Sequence, residues 1–193
     1  MAERFLNIAN QITIFRVVII AYAIVLLSVP SIQSPAAIAL IGLSFALDGL
    51  DGWVARTLKL ETKFGSFLDV LGDRATELLL WSFFLWKSLV PYWAVAIVLV
   101  RDLIVDSIRS KAMASGKSVY GMIESDIGKA LVSGPAIRGL YALLKAALFI
   151  SLAWVLLYET SIPYYVNALL WVVIGLNLLR AYPVIAEGRR YFS

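Results

Sequence analysis

Apolar residues come in runs of about 20, the length that crosses a bilayer as a helix, and short polar links separate them along almost the whole chain. The runs predict membrane-crossing helices over 12–29, 36–57, 64–86, 93–114, 127–158 and 164–182. The fifth is longer than a bilayer needs and contains Gly134-Pro135, so it should tilt, project or break there. Ahead of the first run, Phe5, Ile8, Ile12 and Phe15 recur at helical spacing over 3–16 with polar residues between them. This segment reads either as a short amphipathic helix lying at the membrane interface or as the start of the first span. A cleaved leader is disfavoured, because the apolar part runs on to Val29 without a cleavage context. The expected fold class is an all-α integral membrane protein: six transmembrane helices and a short N-terminal interfacial helix, in a single domain over 1–193.

Charge orients this arrangement. Six crossings put both termini on one side. Arg4, Arg16, Lys59, Lys63, Lys111, Lys117, Arg189 and Arg190 fall on that side, and the opposite links carry only Lys87 and Glu159. By the positive-inside rule both termini are cytoplasmic in the cell membrane. The chain is 61% hydrophobic and 16% charged, with mean hydropathy +0.85. Its net charge of +4 therefore reads as a basic face against anionic headgroups, not as a nucleic-acid surface. Cysteine and histidine are both absent. Disulfides, thiolate metal sites, cysteine nucleophiles and a histidine base are excluded, which leaves carboxylates or lysine for proton transfer.

The polar residues that stand out lie inside the second and third runs. Asp48 and Asp51 are three positions apart and share a helix face, with Ala55 on the same side. Asp69 and Asp73 are four apart on the next run, and Gly65 lies one turn before Asp69. The basic link between the runs turns the chain back, so the two carboxylate pairs are expected to face each other. Carboxylates in hydrocarbon are costly and mark function by default. Two facing pairs offer an all-oxygen site for one or two divalent cations, better suited to Mg²⁺ or Mn²⁺ than to Zn²⁺. Gly49, Gly52, Gly65 and Gly72 serve either close helix packing or the approach of a ligand to the backbone. All four aspartates fall in the cytoplasmic halves of their helices, so the site is expected to open toward the cytoplasm.

The whole pattern, Asp48-x-x-Asp51-Gly52-x-x-Ala55-Arg56, eight residues, then Gly65-x-x-x-Asp69-x-x-x-Asp73, resembles the signature of the CDP-alcohol phosphatidyltransferase family. Eight fixed residues within a 26-residue window make this a specific match. The resemblance implies an enzyme that moves the phosphatidyl group of a CDP-linked lipid such as CDP-diacylglycerol to the hydroxyl of a small polar acceptor, releasing CMP. It implies that Asp48, Asp51 and Asp69 bind metal, that Asp73 is the base and a further metal contact, and that Gly52, Ala55, Arg56 and Gly65 contact the CDP part. A homodimer in the lipid bilayer is also implied. The chemistry agrees: phosphoryl transfer needs diphosphate charge neutralised, and an arginine offers a planar donor to phosphate.

The acceptor should be read from cations on later helices. Arg101 and Arg109 are eight apart on the fourth run, Lys129 follows Gly128, and Arg138 lies deeper in the fifth. For Arg109 and Lys129 the plainer alternative is anchoring at the interface. Arg101 and Arg138 are too deep for easy snorkelling and should pair with acids, Asp102 and Asp106 being at hand, or line a polar cavity. Arg101, Arg109 and Gly128-Lys129, with Asn7-Ile8-x-Asn10-x-Ile12-Thr13-x-x-Arg16, resemble the phosphatidylglycerophosphate synthase branch. That implies glycerol 3-phosphate as the phosphorylated polyol acceptor, its phosphate on Arg101, Arg109 and Lys129. Asp73-Arg74 and Ser107-x-Arg109-x-Lys111-Ala112 lean instead toward inositol phosphate or inositol. A membrane cation transporter is the remote rival. The acids gather at one end of their helices, and there is no inverted repeat to support a transport path.

Overall fold

The computed structural model describes residues 8–57, 62–114 and 123–189, with backbone alone for 51–56, 63 and 114. Among the described residues every element is helical: α1 (Ile8–Ser28), a 3-10 turn (Pro30–Ile32), α2 (Ala36–Thr57), α3 (Lys63–Trp86), α4 (Tyr92–Ala114), α5 (Asp126–Val132), α6 (Pro135–Leu157) and α7 (Tyr164–Gly188). The stretches Ile8–Ser28, Asp126–Leu157 and Tyr164–Gly188 are long and apolar enough to cross a membrane. α3 and α4 fall short because of the charges they carry, Asp69, Asp73, Arg74 and Glu77 on the one and Arg101, Asp102, Asp106 and Arg109 on the other, while α2 is apolar over Ala36–Leu50. Large apolar side chains such as Phe15, Tyr22, Leu103, Leu143 and Trp171 are exposed, as surfaces solvated by lipid require.

Two expectations about boundaries change. Residues 8–16 continue into α1 without a break, so among the described residues they are the start of the first span; residues 3–7 lie outside them. α7 runs on past Tyr182 to Gly188. Pro183 lacks an N–H and so costs one bond to the preceding turn, but its ring is buried and the helix continues. The expected break in the fifth run is present. Ser133 and Gly134 both donate to the Lys129 carbonyl, at 2.9 and 3.0 Å, closing α5. A Cβ at Gly134 would run into the Ala130 carbonyl oxygen, and Pro135 then opens α6 at the one position where a missing N–H costs nothing.

The chain forms two compact units. The first comprises residues 1–89 and 149–162. In it α1 packs against both α2 and α3. Its apolar core centres on Phe149, which stacks on Phe45 and Phe84 at 6.0 Å each and meets Trp81 edge-on at 5.1 Å. The second unit comprises residues 90–148 and 163–193. There Val105, Ile108 and Ala112 of α4, Ile123, Val132 of α5, and Ala181 and Val184 of α7 share one buried cluster. Glu187, in the last turn of α7, accepts from the Glu124 and Ser125 N–H groups at 2.6 and 3.4 Å and from the Ser125 hydroxyl. Ser125 in turn caps α5, accepting from the Gly128 N–H at 3.2 Å.

Candidate functional site

One face of α1 organises the first unit. Asn10, Thr13 and Arg16 recur every three residues, and all are buried. Buried polar side chains need partners: the Thr13 hydroxyl donates to the Ala9 carbonyl of α1 itself at 3.2 Å, and Arg16 takes its partners from α2 and α3. On α2 the Ser44 hydroxyl donates to the Arg16 carbonyl at 3.4 Å. One turn later on the same face, Asp48 forms an ion pair with the Arg16 guanidinium. On α3 the Arg16 Nη2 donates to Asp73 Oδ1 at 2.7 Å. One guanidinium, 2% exposed, thus joins carboxylates from two helices through separate nitrogens.

α3 reaches this face because two of its residues have no side chain. A Cβ on Gly65 would stand 2.9 Å from Asn10 Oδ1 and 3.1 Å from Thr62 Oγ1; Thr62 caps α3 by accepting from the Gly65 N–H at 2.9 Å. A Cβ on Gly72 would stand 2.6 Å from Thr13 Cγ2 and 3.3 Å from Arg16 Nη2. Gly72 is therefore a packing residue, whereas a Cβ on Gly49 would meet nothing within 4 Å. Replacing Gly72 with valine should force α1 from α3 and cost about 1–3 kcal/mol, the usual range for overpacking, read as a lowered Tm of the detergent-solubilised protein.

Asp48, Asp69 and Asp73 are brought together. Each offers a carboxylate oxygen, and the three oxygens lie within 4.8 Å of one another. Asp48 and Asp73 are half-buried and Asp69 is exposed. Three converging carboxylate oxygens fit a hard divalent cation, and with no histidine or cysteine in the chain the donor set is oxygen alone. Asp51, Gly52, Ala55 and Arg56 follow on α2, with side chains outside the described ones.

The expected acceptor residues all lie in the second unit. Arg101 Nη1 donates to Asp102 Oδ1 at 2.7 Å, and both side chains are largely buried. The deep arginine thus pairs with its neighbouring acid, as the cost of burying a lone charge requires. Arg109 lies on α4, half-buried. Lys129 is 53% exposed, with Asp126 at 4.0 Å one turn back on α5. Lys145 Nζ stands 5.3 Å over the Tyr141 ring and Arg180 Cζ 4.9 Å from it.

Arg16, counted above among the basic residues of the face expected to be cytoplasmic and in the stretch from Asn7 that resembles the phosphatidylglycerophosphate synthase branch, is buried in ion pairs with Asp48 and Asp73. The signal available was an arginine set within an apolar run, which by itself points to a functional partner.

Comparison with known proteins agrees with this geometry. Residues 6–180 match the sequence model of the CDP-alcohol phosphatidyltransferases. A CDP-diacylglycerol–glycerol-3-phosphate 3-phosphatidyltransferase of Yersinia enterocolitica is 32% identical over 118 residues, 58% of this chain and 63% of that protein. The protein of the same name from Escherichia coli K12 is 28% identical over 158 residues, 79% of this chain and 85% of that protein. One from Sodalis glossinidius is 33% identical over 118 residues. The match thus spans about 63% of the length of the Yersinia and Sodalis relatives. With the family sequence matched over residues 6–180 and three signature aspartates drawn together, two of them on one arginine, this chain belongs to the CDP-alcohol phosphatidyltransferase family.

Proposed function

We propose that this chain transfers the phosphatidyl group of CDP-diacylglycerol to a hydroxyl of glycerol 3-phosphate and releases CMP, as a step of phospholipid biosynthesis. The observation that carries this reading is the convergence of Asp48, Asp69 and Asp73 in a chain whose relatives bear that name. Asp48, Asp51, Asp69 and Asp73 would hold one or two Mg²⁺ or Mn²⁺ ions. Such ions, when bound, neutralise charge on a diphosphate and on the oxygens being exchanged.

The chain's own residues divide the remaining work. Arg56, with Gly52, Ala55 and Gly65, receives the CDP part. Asp73 accepts the proton of the acceptor hydroxyl, and its hydrogen bond from Arg16 orients the carboxylate for that task. The acceptor oxygen then forms a bond to the lipid-bearing phosphorus. The bond from that phosphorus to the CMP oxygen breaks, and CMP leaves with the electron pair. Arg101, Arg109 and Lys129 receive the phosphate of the acceptor. In this proposal six helices cross the cell membrane, both termini and the site face the cytoplasm, and the protein is a homodimer. Lys111 in the last turn of α4 and Arg189 after α7 support that orientation.

The test is CMP release by the purified protein with CDP-diacylglycerol and Mg²⁺. Release should appear on adding glycerol 3-phosphate and stay at background with inositol phosphate, inositol or serine. Release with inositol phosphate alone would reassign the acceptor. Background with all four would overturn the reading.

A further inference from the structure

The metal-binding reading of the three aspartates leaves one group unused. Arg16 is contributed by α1, outside the signature, yet its guanidinium holds two of the three converging carboxylates. Its surroundings are built for it. The carbonyl of Arg16 is tied to α2 by Ser44, which is itself fully buried. The absence of a side chain at Gly72 gives Nη2 its room beside α3. The guanidinium is 2% exposed, and its Nε has no hydrogen-bond partner among the described residues. A side chain seated this way has its backbone fixed by one helix and its head clasped between two, so it is a fixed part of the cluster.

We infer that Arg16 is a positioning residue that acts as a permanent internal counter-cation of the metal site. It has two effects on the same carboxylates. It holds Asp48 and Asp73 in place when no divalent ion is bound, because three carboxylates this close repel one another without a cation among them. It also opposes an incoming divalent ion, because its own charge lies beside that ion's ligands. The site is thus assembled before metal arrives, and binds metal more weakly than three carboxylates alone would. Assembly without metal and moderated affinity come from one residue, and each can be measured without turnover.

The inference rests on the metal-site reading, and the experiment separates the two. Thermal unfolding of the detergent-solubilised full chain is followed in EDTA and across a Mn²⁺ titration, for the wild type and for Arg16→Gln. Saturable stabilisation of the wild type by Mn²⁺ is expected; its absence refutes the metal site and this role together. In Arg16→Gln the Tm in EDTA should fall, the Mn²⁺-dependent rise should be larger than in wild type, and the half-saturating Mn²⁺ should drop by about tenfold or more. A Mn²⁺ response equal to that of the wild type refutes the role of Arg16 alone.

Arg16→Lys keeps the charge but cannot fork between two carboxylates, and it decides the case should Arg16→Gln not fold. Its half-saturating Mn²⁺ should stay near the wild-type value. Its kcat at saturating Mn²⁺ should fall at least tenfold, with the KM for CDP-diacylglycerol little changed. A wild-type kcat in this variant would overturn the positioning role.

Discussion

Asp73→Asn should cut CMP release by about 10²–10⁴-fold, the range that a positioned base contributes, while binding of CDP-diacylglycerol stays within a few-fold of wild type. The substitution is informative because the asparagine carbonyl oxygen can still accept from Arg16, as Asp73 Oδ1 does at 2.7 Å. The α1–α3 contact, with Gly72 against Thr13, is untouched. What disappears is the capacity to take a proton from the acceptor hydroxyl, together with one carboxylate charge at the metal site, so turnover is compared at saturating Mn²⁺. Turnover is read as CMP formed in a single-turnover mixture, and donor binding by calorimetry. Turnover near the wild-type rate would move the proton to another group.

Asp69→Ala should raise the Mn²⁺ concentration for half-maximal CMP release by at least about 100-fold, the upper end of what even outer-shell partners of a metal cost. Asp69 is the exposed member of the three converging carboxylates, so its loss removes an oxygen ligand without opening the buried face of α1. The wild type should lose activity in EDTA and regain it with Mn²⁺, whereas Asp69→Ala should regain little at the same concentration. Equal recovery in both would take Asp69 out of the metal site. Together the two substitutions set a residue proposed as both base and metal ligand against one proposed as metal ligand alone, within one turn of α3.

The chemistry of this site was legible in the sequence because it is written in residue types that hydrocarbon does not tolerate idly. Asp48, Asp69 and Asp73 could be singled out by kind and grouped by helical spacing, and the structure brings all three together. The break at Gly134-Pro135 was legible for the same sort of reason: proline's missing N–H and glycine's missing Cβ are properties of single residues. Which helix packs on which is not such a property. Spacing divides the acids into faces, but it does not say that α1 packs against both α2 and α3. The pairing of Arg16 with Asp48 and Asp73 is therefore not legible in the sequence. The three-residue rhythm of Arg16 with Asn10 and Thr13 is visible in the sequence, but that rhythm gains meaning only against Gly65 and Gly72 on α3. Glu187 escaped notice for a related reason. The last run is expected to end at Tyr182, which leaves Glu187 beyond it, whereas α7 continues to Gly188 and Glu187 accepts from Ser125, the cap of α5.

The link from Glu187 to Ser125 also bears on the order in which the molecule can be made. The three carboxylates and Arg16 lie within residues 16–73, on the first three helices to be synthesised. The segment that carries Lys129 has to wait. Its cap is anchored 62 residues further along the chain, in the last turn of α7, so α5 reaches its final setting only after α7 has been produced. The aromatic cluster of the first unit likewise awaits Phe149. N-terminal units generally fold first during synthesis. A ribosome-bound chain stalled after α3 would therefore already carry the acidic cluster on its helices. The half bearing Arg101, Arg109 and Lys129 would mature only once α7 has been produced.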